Sequence, residues 1–258
     1  MARLLAIDGL NIVRRVYEAS PEPDSPEKAD IALRHALSSF RKLITDHAPS
    51  HVLPAFDVGG PTWRHALYDG YRAGRAPMPA PLRAALPAFY DKLAGVGLQV
   101  VAVPEVEADD VIGTVVLRWL AEGRGEATIA STDKDLHGLI AHGARVWDHF
   151  KAEWHDAAWV EAKWGVPPAQ LPDLLALMGD VTDSIPGVSK VGVKTAAKLL
   201  RTYGTLDGIM AGAGILKDTL GERLRKECEM LYLSKQLVQL KTDVRVGVSW
   251  NMLAWEQH

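Results

Sequence analysis

Nine acidic residues stand in short bursts along this chain: Asp8, Asp57, Glu107 with Asp109 and Asp110, Asp133 with Asp135, and Asp180 with Asp183. Carboxylates gathered in a partly desolvated cleft repel one another, and only protonation or divalent cations relieve that repulsion. All-oxygen ligands suit hard cations, and a broad shell of acids fits Mg²⁺, with Mn²⁺ as a substitute, better than Zn²⁺. The single cysteine, Cys228, lies inside a helical pattern, so neither a disulfide framework nor a multi-thiolate zinc site is available within the chain. His47 and His51 have the four-residue spacing of a helical ligand pair, but Pro49 between them breaks that helix.

Such acids work together only if the chain delivers them to one place, and the apolar runs say how. Residues 3–8 and 51–57 are short apolar runs ending in Asp, and 98–103 and 127–131 read as further buried strands. Helical periodicities lie between them, at 26–47 with Ser25 as N-cap, at 82–94 with a break expected at Pro87, and at 109–121. Alternating strands and helices predict a parallel α/β sheet. In such sheets ligands bind beyond the carboxyl ends of the strands, which is where Asp8, Asp57, Glu107 and Asp133 fall. Any one of these acids could be a simple helix N-cap, Asp133 above all; four strand ends carrying acids point to a shared site.

With 258 residues, 48% apolar and 24% charged, the chain can bury a core of one large domain, with or without a small annex. The apolar run Leu4 to Ile7 is too brief for a signal peptide or a membrane span, so a cytoplasmic protein without membrane contact is expected. A net charge of −3 hides a segregation of sign. Pro61 to Arg83 carries four arginines, Arg64, Arg72, Arg75 and Arg83, against Asp69 alone, and Ile185 to Met230 carries eight Lys or Arg against five acids. Base on two segments flanking an acidic pocket suits a nucleic-acid partner.

From 58 to 81 periodicity fails among repeated Gly and Pro. Such a loop, carrying Trp63, Tyr68 and Tyr71 beside Arg64, Arg72 and Arg75, suits phosphate contact and base stacking. After about Gln170 the pattern is helix and turn only. Residues 185–200 read as a helix-hairpin-helix in which Gly187 and Gly192 expose amides to a DNA phosphate, with charge added by Lys190, Lys194 and Lys198. The carbonyls of Val188 and Val191 could hold a monovalent cation such as K⁺. Gly187 to Thr195 departs from a nucleotide-binding P-loop, because Val193 separates Gly192 from Lys194 and no strand precedes it.

On these motifs the chain resembles the bacterial 5′-nuclease family, which includes flap endonucleases and the N-terminal nuclease domain of DNA polymerase I. The resemblance runs from Ile7-Asp8-Gly9 to Thr242-Asp243 and is carried by Glu107-Ala-Asp-Asp110, Ser131-Thr-Asp-Lys-Asp135 and Met178-Gly-Asp-Val-Thr-Asp-Ser-Ile-Pro-Gly187. Trp63-Arg-His and Tyr71-Arg-Ala-Gly-Arg-Ala-Pro-Met-Pro79 look most like the stand-alone exonuclease IX type. Some of that subgroup have lost acids of the second metal site, whereas Asp180 and Asp183 match its fully equipped members.

The resemblance implies an α/β, PIN-like parallel-sheet nuclease core over 1–168, including an arginine-rich arch loop at 58–81. A helical DNA-binding region of helix-two-turn-helix type would follow over 169–258, with its hairpin at 185–200. It implies a first metal site of Asp8, Asp57, Glu107 and Asp109, with Asp133 between two ions and Asp135, Asp180 and Asp183 at the second; Asp110 would act through water. Arg15, Arg72 and Arg75 match basic positions that contact the scissile region, although at Arg72 the family more often has lysine, whose ammonium is a narrower contact than a guanidinium fork. Tyr71 matches an aromatic on which the terminal base stacks. The activity expected is two-metal hydrolysis of DNA at a 5′ flap, overhang or free 5′ end by a monomeric, structure-specific nuclease. Two other readings remain: a non-catalytic flap or duplex DNA-binding protein that keeps its acids, and a metal-dependent ribonuclease of related fold.

Overall fold

Alternation along the first strand sets the architecture, because successive side chains point to opposite faces of a sheet. In β1 (Ala2–Asp8), Leu5 and Ile7 enter one core and Leu4 and Ala6 enter another. The computed structural model describes residues 1–214 and 219–256. Its sheet has the order β2-β1-β3-β4-β5. The strands β2 (His51–Ala55), β3 (Gly125–Ala130) and β4 (Arg145–Asp148) run parallel to β1 or to one another, and β5 (Glu153–His155) pairs antiparallel with β4.

On one face lie α1 (Gly9–Glu18), α2 (Pro26–His47) and α4 (Ala80–Gly95), packed on Leu5, Ile7 and Val52 around Phe40, Phe56 and Phe89. On the other lies α5 (Ala108–Ala121), with Val111, Ile112, Val115 and Trp119 against Leu4, Leu53 and Ile129. The short α3 (Trp63–Leu67) interrupts the loop before α4. Ser25 caps α2 by accepting from the Lys28 amide, as its position predicts.

Two expectations differ from the structure for identifiable reasons. The strand expected at 98–103 is reduced to one bridge, Val101 to Ala55. Its rung uses Phe56 N–H to the Val101 carbonyl and Val101 N–H to the Pro54 carbonyl, and the next rung would need an N–H that Pro54 lacks. Conversely, α4 continues through Pro87, which sits on the exposed face where water can replace the lost backbone bond.

A third core belongs to the C-terminal helices. After α6 (Ala157–Trp164), the elements α7 (Leu171–Met178), α8 (Val193–Tyr203), α9 (Leu206–Ala213), α10 (Thr219–Lys226) and α11 (Cys228–Val238) bury Leu174, Leu177, Leu200 and Leu231 together; α12 (Trp250–Leu253) returns to the sheet domain. Between α7 and α8 the chain folds back on itself. Gly179 (φ +72°) and Gly187 (φ +62°) lie so close that a Cβ on Gly187 would stand 2.3 Å from the Gly179 nitrogen, so both positions need glycine. Among the described residues no helix is long and apolar enough to cross a membrane.

Candidate active site

Because β1 sits between β2 and β3, the crevice at their carboxyl ends receives the residues that follow all three strands. Asp8 ends β1 and caps α1, one oxygen accepting from Asn11 N–H at 3.1 Å and the other from the Ser131 hydroxyl at 2.8 Å. Asp57, just past β2, accepts the first amide of α5 from Ala108 at 2.7 Å. Past β3, Asp133 accepts from the Asp135 amide at 3.0 Å, so its turn is the cap-like one that short polar side chains favour. Asp8, Asp57, Glu107, Asp109 and Asp133 line one cleft of about 640 Å³, together with Arg14, Arg15, Arg72 and Arg75.

The electrostatics of this basin are those of crowded acids. Burial, and then the charge of Asp133, push the Asp8 carboxyl up to about 7. The same two causes in the same order push Asp135 up to about 8 and hold Asp109 well above the usual carboxylate range. Asp180 goes the other way: although burial opposes it, the Lys134 ammonium at 2.5 Å holds it below the usual range. Asp183 accepts from Arg72 Nε at 2.9 Å and lies 3.5 Å from Arg75. Glu107 is met by Arg64 at 3.2 Å and Arg72 at 3.1 Å, and it accepts from the Thr62 and Tyr71 hydroxyls.

These donors fit a hard divalent cation in chemistry, being oxygen throughout, and the buried Asp135 Oδ1 has no hydrogen-bond partner. Among the described residues no three of them are already gathered into a set that could hold a metal ion. The chain's own cations, Lys134, Arg72 and Arg75, stand among the acids instead.

Four expected site residues have other tasks. Asp110 is fully buried, and both of its oxygens are used: a bidentate pair with Arg64 at 2.8 and 2.9 Å, the Trp63 indole N–H at 2.8 Å and the Lys241 amide at 2.9 Å. On a helix its direction differs by about 100° from that of Asp109, and this turns it away from the basin. Arg64, expected on DNA, is the other half of that lock, with its Nε on the Leu237 carbonyl at 2.7 Å. Tyr71 is only 3% exposed, packed into the C-terminal core with its hydroxyl on Glu107, so no base can stack on it in this conformation. Gly187 spends its amide on the Ser234 hydroxyl at 3.1 Å and serves the tight turn rather than a phosphate.

The remaining candidates are exposed or at the rim. Arg15 donates to the Thr132 hydroxyl at 3.0 Å and lies over the half-exposed Phe150 ring. Lys190, Gly192, Lys194 and Lys198 are exposed, whereas Val188 and Val191 are buried and the Val188 carbonyl accepts from Val191 N–H at 3.1 Å. Lys134, Arg14, Ser131 and Thr62 also stand in or brace the site and are not among the residues expected there. Lys134 carried a visible signal, a cation set between two acids of one motif.

The raised acids predict a pH dependence of stability in the metal-free protein. Their folded values lie above their unfolded ones, so the folded state binds more protons and loses stability as pH rises through about 7 for Asp8 and about 8 for Asp135. Burial holds His47, His51, His137, His149 and His155 below the usual imidazole range, so their titration lies below this window. The melting temperature in EDTA should therefore fall from pH 7 to 9, and millimolar Mg²⁺ should restore more of it at pH 9 than at pH 7. A melting temperature that Mg²⁺ leaves unmoved at both pH values would contradict a preformed anionic basin.

Comparison with known proteins agrees with this geometry at both levels. Residues 3–165 match the family described as 5′-3′ exonuclease, N-terminal resolvase-like domain, and residues 166–258 match 5′-3′ exonuclease, C-terminal SAM fold. The protein called flap endonuclease Xni from Shewanella amazonensis is 39% identical over 244 residues, covering 95% of this chain and 94% of that one. Its namesake from Shewanella oneidensis is 39% identical over 249 residues, covering 96% and 94%. Among solved structures, a mutant of the T5 5′-exonuclease superposes with a TM-score of 0.75 at 20% identity, covering 94% of this chain and 89% of that one. The catalytic core of Rad2 in complex with DNA substrate superposes with a TM-score of 0.60 at 13% identity, covering 98% and 82%. With both halves of the sequence matched in order and the fold shared end to end, the chain belongs to the 5′-3′ exonuclease family.

Proposed function

We propose that this chain is a monomeric, cytoplasmic, structure-specific 5′ nuclease that hydrolyses DNA phosphodiester bonds at 5′ flaps, overhangs or free 5′ ends with Mg²⁺ or Mn²⁺. The observation that carries the reading is the convergence of Asp8, Asp57 and Asp133, from three strand ends, and of Asp109, from the first turn of α5, on one cleft whose rim bears arginines. Asp8, Asp57, Glu107 and Asp109 would hold one ion and Asp135, Asp180 and Asp183 the other, with Asp133 between them. Divalent ions so held would supply an activated water and offset charge developing on the phosphodiester.

The chain's own residues would do the positioning. Arg72 and Arg75 stand over Asp183 and would exchange that carboxylate for the scissile phosphate, a trade between two anionic partners of one guanidinium. Arg15, tied to Thr132 beside Asp133, would hold a neighbouring phosphate. Lys190, Lys194 and Lys198, with the Gly192 amide at the start of α8, would grip the duplex backbone, and the Val188 and Val191 carbonyls would take K⁺ there. Contacts of this kind position without reading bases, so cleavage should follow DNA structure rather than sequence. The functional boundary would fall near 168, between the nuclease core and the duplex-binding helices.

The direct test is cleavage of a 5′-flapped DNA duplex with Mg²⁺, an EDTA control and a competing RNA duplex of the same shape. The expected result is metal-dependent release of the DNA flap, with RNA spared. Tight binding without cleavage would favour a non-catalytic DNA-binding protein, and preferential RNA cleavage would favour a ribonuclease.

A further inference from the structure

The two groups of acids differ in how the chain itself neutralises them. Among the described residues, the first group's aspartates, Asp8, Asp57 and Asp109, and Asp133 beside them make no ion pair with a lysine or arginine, and only its Glu107 is met by arginines, Arg64 and Arg72; all of Asp135, Asp180 and Asp183 are met by Lys134, Arg72 or Arg75. Lys134 reaches Asp180 at 2.5 Å and Asp135 at 3.8 Å, with a side chain 25% exposed. Its placement is built in by sequence, since the backbone on either side is held by Asp133 accepting from the Asp135 amide and by the Lys134 carbonyl meeting His137 Nδ1 at 3.2 Å. Arg72 is held as firmly: its left-handed backbone (φ +55°) donates an amide to the Asp183 carbonyl at 2.9 Å while its guanidinium spans Asp183 and Glu107.

We propose that Lys134 is a resident cation of the second acid group, so that a divalent ion enters Asp135, Asp180 and Asp183 only as the ammonium leaves Asp180, and does so together with DNA. This rests on the nuclease reading above and adds an order of events to it. A phosphate entering the cleft draws Arg72 and Arg75 off Asp183 and Glu107, which uncovers net negative charge at the second group. The first group's aspartates have no such competitor, the arginines there meeting Glu107 alone, and they take their ion without DNA. Two negatively charged groups side by side are thus kept from repelling each other apart in the resting protein by a cation that the chain carries.

The test is a Mn²⁺ titration of the full chain, with unbound ion counted by electron paramagnetic resonance. Without DNA, one ion should bind and a second should follow about tenfold more weakly or worse; a 5′-phosphorylated product duplex, corrected for ions on the duplex alone, should tighten the second at least about tenfold. Lys134→Met should tighten the second ion to a similar degree without DNA. The wild-type comparison stands by itself if that variant fails to fold. Two ions of equal affinity in the DNA-free wild type would overturn the proposal while leaving the nuclease reading intact, and so would a folded Lys134→Met with unchanged second-ion affinity. Absence of any bound ion, with or without DNA, would overturn both.

Discussion

Asp133→Asn should lower flap cleavage roughly 10³-fold while making the metal-free protein more stable, two effects of opposite sign from one atom's change of charge. The loss follows from position. Asp133 acts on acids of both groups, Asp8 and Asp109 of one and Asp135 of the other; on the proposed reading a carboxamide there holds a divalent cation poorly, removing several kcal/mol of transition-state stabilisation, or roughly 10³ in rate. The gain follows from repulsion. Asp133 is a cause, second only to burial, of the raised values at Asp8, Asp109 and Asp135, and asparagine keeps the acceptor that receives the Asp135 amide. The melting temperature in EDTA at pH 8 should rise by about 2–4 °C for each kcal/mol of repulsion removed. Cleavage kinetics, DNA affinity by fluorescence anisotropy and a thermal melt check the set. Near wild-type turnover would remove Asp133 from the site, and a lower melting temperature would contradict the electrostatic account.

Asp110→Asn should do the reverse: strong destabilisation, with any loss of cleavage arising through the fold. Asp110 is fully buried and pairs both oxygens with the Arg64 fork, so removing its charge leaves the buried guanidinium with only Glu107, which it must share with Arg72. Breaking a buried pair by one partner costs about 3–5 kcal/mol. The cost spreads because the pair joins distant parts of the chain: Trp63 and Arg64 from the arginine-rich loop, Lys241 and Leu237 from the C-terminal segment, and Glu107, which Arg64 also meets at 3.2 Å. Urea unfolding should therefore show a marked fall in midpoint, and Arg64→Met should show a comparable one. The double variant should lose less than the sum, since the two residues share one interaction. An unchanged midpoint combined with lost cleavage would return Asp110 to the basin.

That pair also shows where sequence reading stops. Arg64, Arg72 and Arg75 occur in one loop of irregular pattern, and nothing local separates them. Yet the first is 3% exposed in a structural lock, the second spans two carboxylates at the cleft, and the third stands at its rim. The difference lies in partners 35 to 175 residues away, and local composition carries no record of those distances. Tyr71 fails for the same cause. An aromatic beside arginines suits base stacking, but the folded chain buries this ring among the C-terminal helices. Strand-end acids have a related ambiguity, resolved only by what surrounds them. Asp148 ends β4 much as Asp8 ends β1 and both are buried, but Asp148 accepts from the Phe150 and Lys151 amides and takes no part in lining the cleft.

By itself the sequence determined the alternation that makes a parallel sheet, the delivery of Asp8, Asp57 and Asp133 to strand ends, the capping of α2 by Ser25 and the glycine-punctuated turn ahead of α8. All of these depend on periodicity, chain direction or backbone freedom, which act over a few residues and are written into neighbours. Only the tertiary structure decided which charges meet. It set Asp110 on Arg64, Lys134 on Asp180 and Arg72 across Glu107 and Asp183, because ion pairing in a buried cleft depends on distance and desolvation between segments that the sequence keeps far apart.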